Sequence, residues 1–423
     1  MSSEIALSVV NYPIVEPEPP SEFDRVMAIV DDRLSPSQDS MPAMVDPAAD
    51  HVEDTVARRR ADIEEKHQRV IQFLDAAGYH AALLGRADTL AWFTSGGELG
   101  QSMMSDRGSV LIYVNHSCRA VFCDNVQSPR IFEEELAGLG FQLKERPWYG
   151  SSTQPIADVA RGKRIASDGF CPQVGFADER ERINQLKFPL TKLERQRLRE
   201  LGRTLALALE ATCRNFERGE SEADIAGHLA HRLFREGVVP IDLRVAGDGR
   251  NERFRQPTFK AAEIERHATI SAVGRRHGLC ASATRTVSLG PTEPDLKKAH
   301  EIASMVGATC IYFSRPGETV GSVFKRARRI YEKLERPDEW VLGYQGFAIA
   351  YDPREALLTP ESPMPLRTGL PLAWCPSVSS ARSEDTVVVD HRGIEVVTEA
   401  QRWPKLEILV KGYPLMRPAI LER

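Results

Sequence analysis

Two short segments of this 423-residue chain carry side chains whose types could do chemistry. One is Gly278–Thr286 (GLCASATRT), the other Arg382–Val387 (RSEDTV). Glu384 supplies a carboxylate on an expected strand. Buried alone, such a group has a raised pKa and serves as acid or base; paired with Arg285 or Arg382, it is structural. Arg285 follows Thr284 and has the planar fork that clamps a substrate carboxylate, or it pairs with Glu384 or Glu355. Cys375, beside Trp374, is a nucleophile if a neighbouring base lowers its pKa, and otherwise a small buried apolar residue. His277, just before Gly278, is either a proton carrier or a turn histidine. Tyr344 could donate a phenolic proton to a leaving group.

The elements that must position these groups follow from periodicity. Val52, Val56, Ile63, Val70, Phe73 and Leu74 recur at helical spacing, so residues 50–77 read as an amphipathic helix stopped by Gly78. Ala81–Leu84, Ser109–Val114, Arg119–Cys123, Phe141–Lys144 and Arg164–Ser167 read as strands, with a helix over Phe132–Leu139 and short helices over 154–161 and 177–186. Thr191 and Glu194 form a capping box that opens a helix reaching about Phe216. Further helices are expected at Glu222–Glu236, Glu293–Met305 and Val320–Leu334. Strands are expected at Leu243–Ala246, Ala268–Val273, Leu279–Val287, Gly346–Ala350, Leu372–Ser377, Asp385–Val389 and Ile394–Val397. The run Trp92 to Gly97 reads as a turn, or as a loop whose glycine pair lets it approach a ligand. Residues 1–48, rich in Pro, Ser, Asp and Glu, read as a disordered or loosely docked extension.

Bulk properties narrow the function classes. The net charge of -5 argues against a nucleic-acid partner. The basic clusters Arg58–Arg60 and Lys325–Arg329 read as solvated helix faces. No apolar run is long enough to span a bilayer, and the N-terminus lacks the basic start and apolar core of a secretory signal. The seven cysteines show no CxxC spacing, so a reducing cytoplasmic location is expected.

The two quoted segments resemble β-hairpin segments of the creatinase, prolidase and aminopeptidase P family, peptidase M24. Leu190–Glu194 (LTKLE), Arg218–Ala230 (RGESEADIAGHLA), Arg255–Pro257, Tyr344–Gly346 and Tyr351–Glu355 (YDPRE) extend the resemblance in the same order. It implies an α+β protein, with a pita-bread domain over residues 188–423 preceded by a smaller creatinase-type α/β domain over 49–187. It also implies a homodimer acting on a small molecule.

The family's metal site uses two aspartates, a histidine and two glutamates. The matching positions here are Ala272, Ser282, Tyr344, Cys375 and Glu384, so one carboxylate survives and neither a metal nor another cofactor is expected. In metal-free creatinase-type members a histidine shuttles protons, and Gln256 stands at that loop. Tyr344 then either assists catalysis or plugs the emptied cavity. A rearranged soft site from His277, Cys280, Cys375 and Glu384 is disfavoured because His277 and Cys280 fall on opposite strand faces. The first expectation is a metal-independent hydrolase or lyase for a small amino-acid, amide or guanidino-type substrate. Its catalytic candidates are Glu384, Tyr344, Cys375 and His277, and its binding candidates are Arg285, Gln256, Gln345, Ser282, Arg255 and Arg354. The alternatives are a non-catalytic protein that binds a peptide or protein, and a metal-dependent Xaa-Pro aminopeptidase-like hydrolase.

Overall fold

The computed structural model describes residues 8–9, 55–170, 176–391 and 393–423. The expected N-terminal extension therefore lies outside the described residues, apart from Ser8–Val9. So do residues 50–54 of the expected first helix.

The first helix, α1 (Val56–Ala77), starts where Thr55 accepts a hydrogen bond from Arg58 N and ends at Gly78 with φ 68°. Next come β1 (Ala81–Arg86), α2 (Ala87–Phe93), β2 (Arg107–Val114), β3 (Arg119–Asp124), β4 (Gln142–Arg146), α3 (Gln154–Ala160), β5 (Ile165–Ser167) and β6 (Ala177–Asp178). The strands form one mixed sheet in the order β4-β3-β2-β1-β5-β6. Two local expectations are corrected here. The run expected as a turn begins inside a helix, α2, whose Thr89 to Phe93 are all buried, so it has no polar face to reveal its period. The helix expected over Phe132–Leu139 instead starts earlier, as Ser128–Arg130, and continues as a wide turn over Ile131–Glu135. Pro129 sits at its first turn, where a missing N–H costs nothing.

The second unit opens with α4 (Lys192–Asn215), whose capping box from Thr191 and Glu194 is formed as its spacing requires. α5 (Glu222–Arg235), β7 (Val239–Gly247), β8 (His267–Arg276), β9 (Leu279–Ser288), α6 (Pro294–Phe313) and α7 (Val320–Lys333) follow. The chain closes with β10 (Gly346–Ala348), β11 (Ala356–Leu357), β12 (Pro371–Trp374), β13 (Asp385–Asp390), β14 (Gly393–Val396), β15 (Lys405–Val410), β16 (Tyr413–Pro418) and β17 (Leu421–Glu422). A curved sheet runs β11-β10-β12-β13-β9-β8-β7, with β14 on β13 and β17 on β9. Two helix pairs, α4/α5 and α6/α7, back it, which is the pita-bread arrangement.

Leu198, Leu201, Leu205 and Leu209 of α4 are fully buried in the core that includes Ile270 and Ala283 of the sheet. Each such side chain contributes roughly 1.5–3 kcal/mol of apolar burial. Gly202 lets α4 approach closely, because a Cβ there would lie 2.2 Å from Val397 O. α6 runs on to Phe313, past the expected end at Met305. Met305 to Ile311 are all buried, so no polar face marks a stop. β15 and β16 lie beyond the last expected strand, although Leu406, Ile408 and Val410 are buried and alternate with half-buried neighbours in the strand period.

Buried ion clusters join the two units. Lys66 Nζ lies 2.6 Å from Asp62 and 2.7 Å from Glu194, and Tyr351 Oη donates to Glu194 at 2.7 Å. Lys187 Nζ bridges Asp88 at 2.6 Å and Glu355 at 3.2 Å. Among the described residues no helix is long and apolar enough to cross a membrane, and all six cysteines are free.

Candidate functional site: a guanidinium-lined cleft

Strand alternation sends every second residue of β9 into the concavity of the sheet. Ser282 and Thr284 point there; Ala283 and Arg285 point the other way, towards the helices. On the neighbouring chain Glu384, just before β13, faces the same concavity. The walls line a partly open cavity of about 180 Å³, whose polar lining includes Asp242, Arg244, Gln256, Ser282, Arg382 and Glu384. Ile241, Ala272, Val273, Phe347, Pro353 and Ala373 form the apolar part, and Arg354 and Ser271 complete it.

Glu384 is fully engaged. It accepts from Ser282 Oγ, from Thr284 Oγ1 at 2.7 Å and from Arg382 Nε at 2.9 Å. Ser271 Oγ, 2.6 Å from Thr284 Oγ1, extends this chain. Burial opposes ionisation of the carboxyl. Arg382 and the two hydroxyls outweigh it and hold Glu384 below the usual carboxylate range. The sequence alone left a raised value open; the tertiary partners reverse it. Glu384 is thus a fixed anion at neutral pH and a weak proton carrier.

Of the expected binding residues, Gln256, Ser282 and Arg354 line the cavity with Glu384. The Arg354 guanidinium packs over the rings of Tyr344 at 5.6 Å and Phe347 at 4.9 Å. Tyr344 is 44% exposed, so it stands beside the cavity wall and does not plug the interior. The remaining candidates lie elsewhere. Gln345 is buried, donating to Gly343 O and Trp340 O and accepting from Tyr331 Oη. Arg255 binds Glu339 at 2.6 Å and Ser379 O at 2.7 Å beside a smaller hollow. Cys375 is buried against Tyr344 O, and burial pushes its thiol up to about 12, far from a thiolate nucleophile. His277 occupies the β8–β9 turn with φ 52°, packed so tightly on the first domain that a Cβ on Gly96 would lie 2.8 Å from its own.

Arg285 is not brought to the cleft. It donates to Asp385 at 3.1 Å, to Thr398 O and to Thr284 O, with its side chain fully buried on the helix side. Its nearest carboxylate is Asp385, with Glu210 at 4.0 Å, where Glu384 or Glu355 was expected, because Glu384 and Asp385 leave the strand in opposite directions.

The family's two-ion chemistry needs several anionic or imidazole ligands. Ala272, Ser282 and Glu384 stand on the cavity wall, while Tyr344 and Cys375 do not line it. The two carboxylates on the wall, Asp242 and Glu384, each already bind an arginine. Among the described residues no three His, Cys, Asp or Glu side chains converge. A divalent cation would face guanidinium groups, so this donor set does not fit one.

Asp242 and Arg244 were not singled out from sequence. The available signal was two charged residues at i and i+2 of a strand beside the hairpin, which places both on one face.

The profile of metallopeptidase family M24 matches residues 196–391. No curated protein matches the chain. Among solved structures, the prolidase from Pyrococcus horikoshii OT3 is similar with TM-score 0.70 and 16% identity, over 80% of this chain and 99% of that one. The Xaa-Pro dipeptidase from Bacillus anthracis gives TM-score 0.70 and 17% identity, over 85% and 100%. The N-terminal domain of the FACT complex subunit SPT16 from Cicer arietinum gives 0.66 and 11%, over 82% and 97%. At these identities the structures establish a shared fold.

Proposed function

We propose that this chain, whose residues 196–391 match the profile of metallopeptidase family M24, is a metal-independent member of that family whose cleft binds a small organic ligand. The observation that carries this reading is the Arg382–Glu384 bridge. The one carboxylate retained at the family's ligand positions is already neutralised by a guanidinium and saturated by Ser282 and Thr284. Such a group anchors Arg382 and shapes the wall. It resists a cation that would compete with Arg382, and its lowered pKa makes it a poor proton shuttle.

In a catalytic version of this reading, Glu384 accepts a proton during hydrolysis or elimination of an amino-acid or amide-type substrate, after the ligand has drawn Arg382 away. Its place on the cavity wall favours that version. In the non-catalytic version the cleft only binds. The SPT16 neighbour, named as a complex subunit, supports the idea that this fold serves proteins other than peptidases. The names of the prolidase and Xaa-Pro dipeptidase neighbours favour a metal-dependent peptidase instead, a reading that the donor set opposes. A homodimer is part of the proposal, and light scattering tests it.

Elemental analysis of the purified chain, together with Xaa-Pro dipeptide turnover with and without manganese, decides the metal question. The expected result is substoichiometric metal and no manganese-dependent cleavage. Stoichiometric manganese, cobalt or zinc together with metal-dependent cleavage would overturn the proposal.

A further inference from the structure

The cavity wall carries more positive charge than the protein balances. Its cations are Arg244, Arg354 and Arg382, and its anions are Asp242 and Glu384, an excess of one positive charge. Arg382 is bound to Glu384. Arg244 is bound to Asp242 through Nε, at 3.1 and 3.0 Å, and Nη2, at 2.6 Å. Arg354 is the remainder: its guanidinium lies on the Tyr344 and Phe347 rings, and no carboxylate among the described residues bridges it.

Arg244 supplies a second, independent signal. Its Nη1 is buried and has no hydrogen-bond partner, although Nε and Nη2 are both used. Arg244 lines both the main cavity and the smaller neighbouring hollow, so its side chain stands between the two spaces. A buried donor left unmade is costly, and an anionic acceptor answers it best.

From these features we infer that the cleft recognises a small monocarboxylate without an ammonium group, of the N-acyl amino acid type, with one compact apolar side chain. This rests on the metal-independent reading above and specifies its ligand. The ligand carboxylate supplies the acceptor Arg244 Nη1 lacks and balances Arg354. An ammonium or guanidino group finds no free carboxylate, since Asp242 and Glu384 are both committed to arginines. The guanidino-type substrate among the sequence expectations is disfavoured for the same reason. Gln256 offers one amide that both donates and accepts, which suits an acylated nitrogen. Ile241, Val273 and Phe347 give the apolar side chain its wall. At about 180 Å³ the space exceeds the roughly 150 Å³ that admits a benzene-sized group, which gives room for the apolar side chain, and its open mouth leaves space for the rest of the ligand.

Isothermal titration calorimetry on the full chain, in EDTA, tests this with three matched probes: N-acetyl-leucine, leucine, and N-acetyl-leucinamide. N-acetyl-leucine is expected to bind about tenfold or more tighter than either of the others. Arg354→Gln, on a half-exposed loop and so compatible with folding, should remove most of the preference over the amide. Arg244→Lys should do the same. The inference is overturned if leucine or the neutral amide binds as well as N-acetyl-leucine, if none of the three binds either in EDTA or with added metal, or if both variants keep the wild-type preference. If binding appears only when manganese or zinc replaces EDTA, the metal-independent reading fails instead, and the probe ranking still judges the carboxylate preference.

Discussion

The β8–β9 hairpin and its neighbour β13 present two faces built from the same kinds of side chain. On the cleft face Glu384 meets Arg382, Ser282 and Thr284 beside a cavity. On the helix face, one residue along each strand, Asp385 meets Arg285 at 3.1 Å and Arg417 at 2.6 Å. Both are carboxylate–guanidinium clusters. They differ in what surrounds them: Arg285, Arg417 and Asp385 are almost wholly buried, whereas the Arg382 side chain keeps 12% of its surface exposed at a ligand-sized space. A cluster closed on every side can only hold the fold, and one that opens on a cavity can exchange a protein partner for a ligand. Ionic chemistry alone therefore does not mark a site; accessible volume beside it does.

That contrast can be broken by substitution. The largest effect is expected from Asp385→Asn, which leaves two buried guanidinium groups, Arg285 and Arg417, without their shared anion. A loss of about 3–5 kcal/mol in denaturant unfolding is expected, and a loss below about 1 kcal/mol would erase the distinction between the faces. Glu384→Gln should cost less, about 1–3 kcal/mol, because Arg382 can relax towards the cavity. The same variant should alter ligand binding strongly, and equal stability losses for the two variants would contradict the comparison.

The pH dependence sharpens it. Glu384 has a folded-state pKa below its ordinary value of 4.5. Its ionised form therefore stabilises the fold above that value, and the stabilisation is lost as pH falls through the lower folded value. The stability gap between wild type and Glu384→Gln should be constant near neutrality and shrink below about pH 4.5. A gap that widens on acidification would show the opposite shift. The smallest effect is expected at Cys375, a buried packing residue that takes part in neither ion pair. Cys375→Ala should cost about 1 kcal/mol and leave ligand binding intact. With a thiol pushed up to about 12, alkylation of the native wild-type residue at pH 7.5 should be slow. Rapid alkylation there would return Cys375 to consideration as a nucleophile.

Much of the scaffold was legible because its signals are local. The Thr191–Glu194 capping box and the Gly78 stop each lie within a few residues of what they determine. α2 and the extension of α6 were not legible, since helices buried all round show no amphipathic period. At the site, the absence of acidic side chains at Ala272 and Ser282 could be read directly from residue types. The direction of the Glu384 pKa shift, the partner of Arg285 and the paired arrangement of Asp242 with Arg244 could not.

The order of residues along the chain thus determined which elements form and which chemistries lack their side chains, because capping, periodicity and residue type act at short range. Tertiary structure alone decided which charges meet. Glu384 and Ser282 lie about a hundred positions apart, and the strand pleat sends adjacent residues such as Thr284 and Arg285 into different surroundings. Whether a carboxylate becomes an anchor, a proton carrier or a strut depends on those surroundings, through desolvation and the nearest opposite charge.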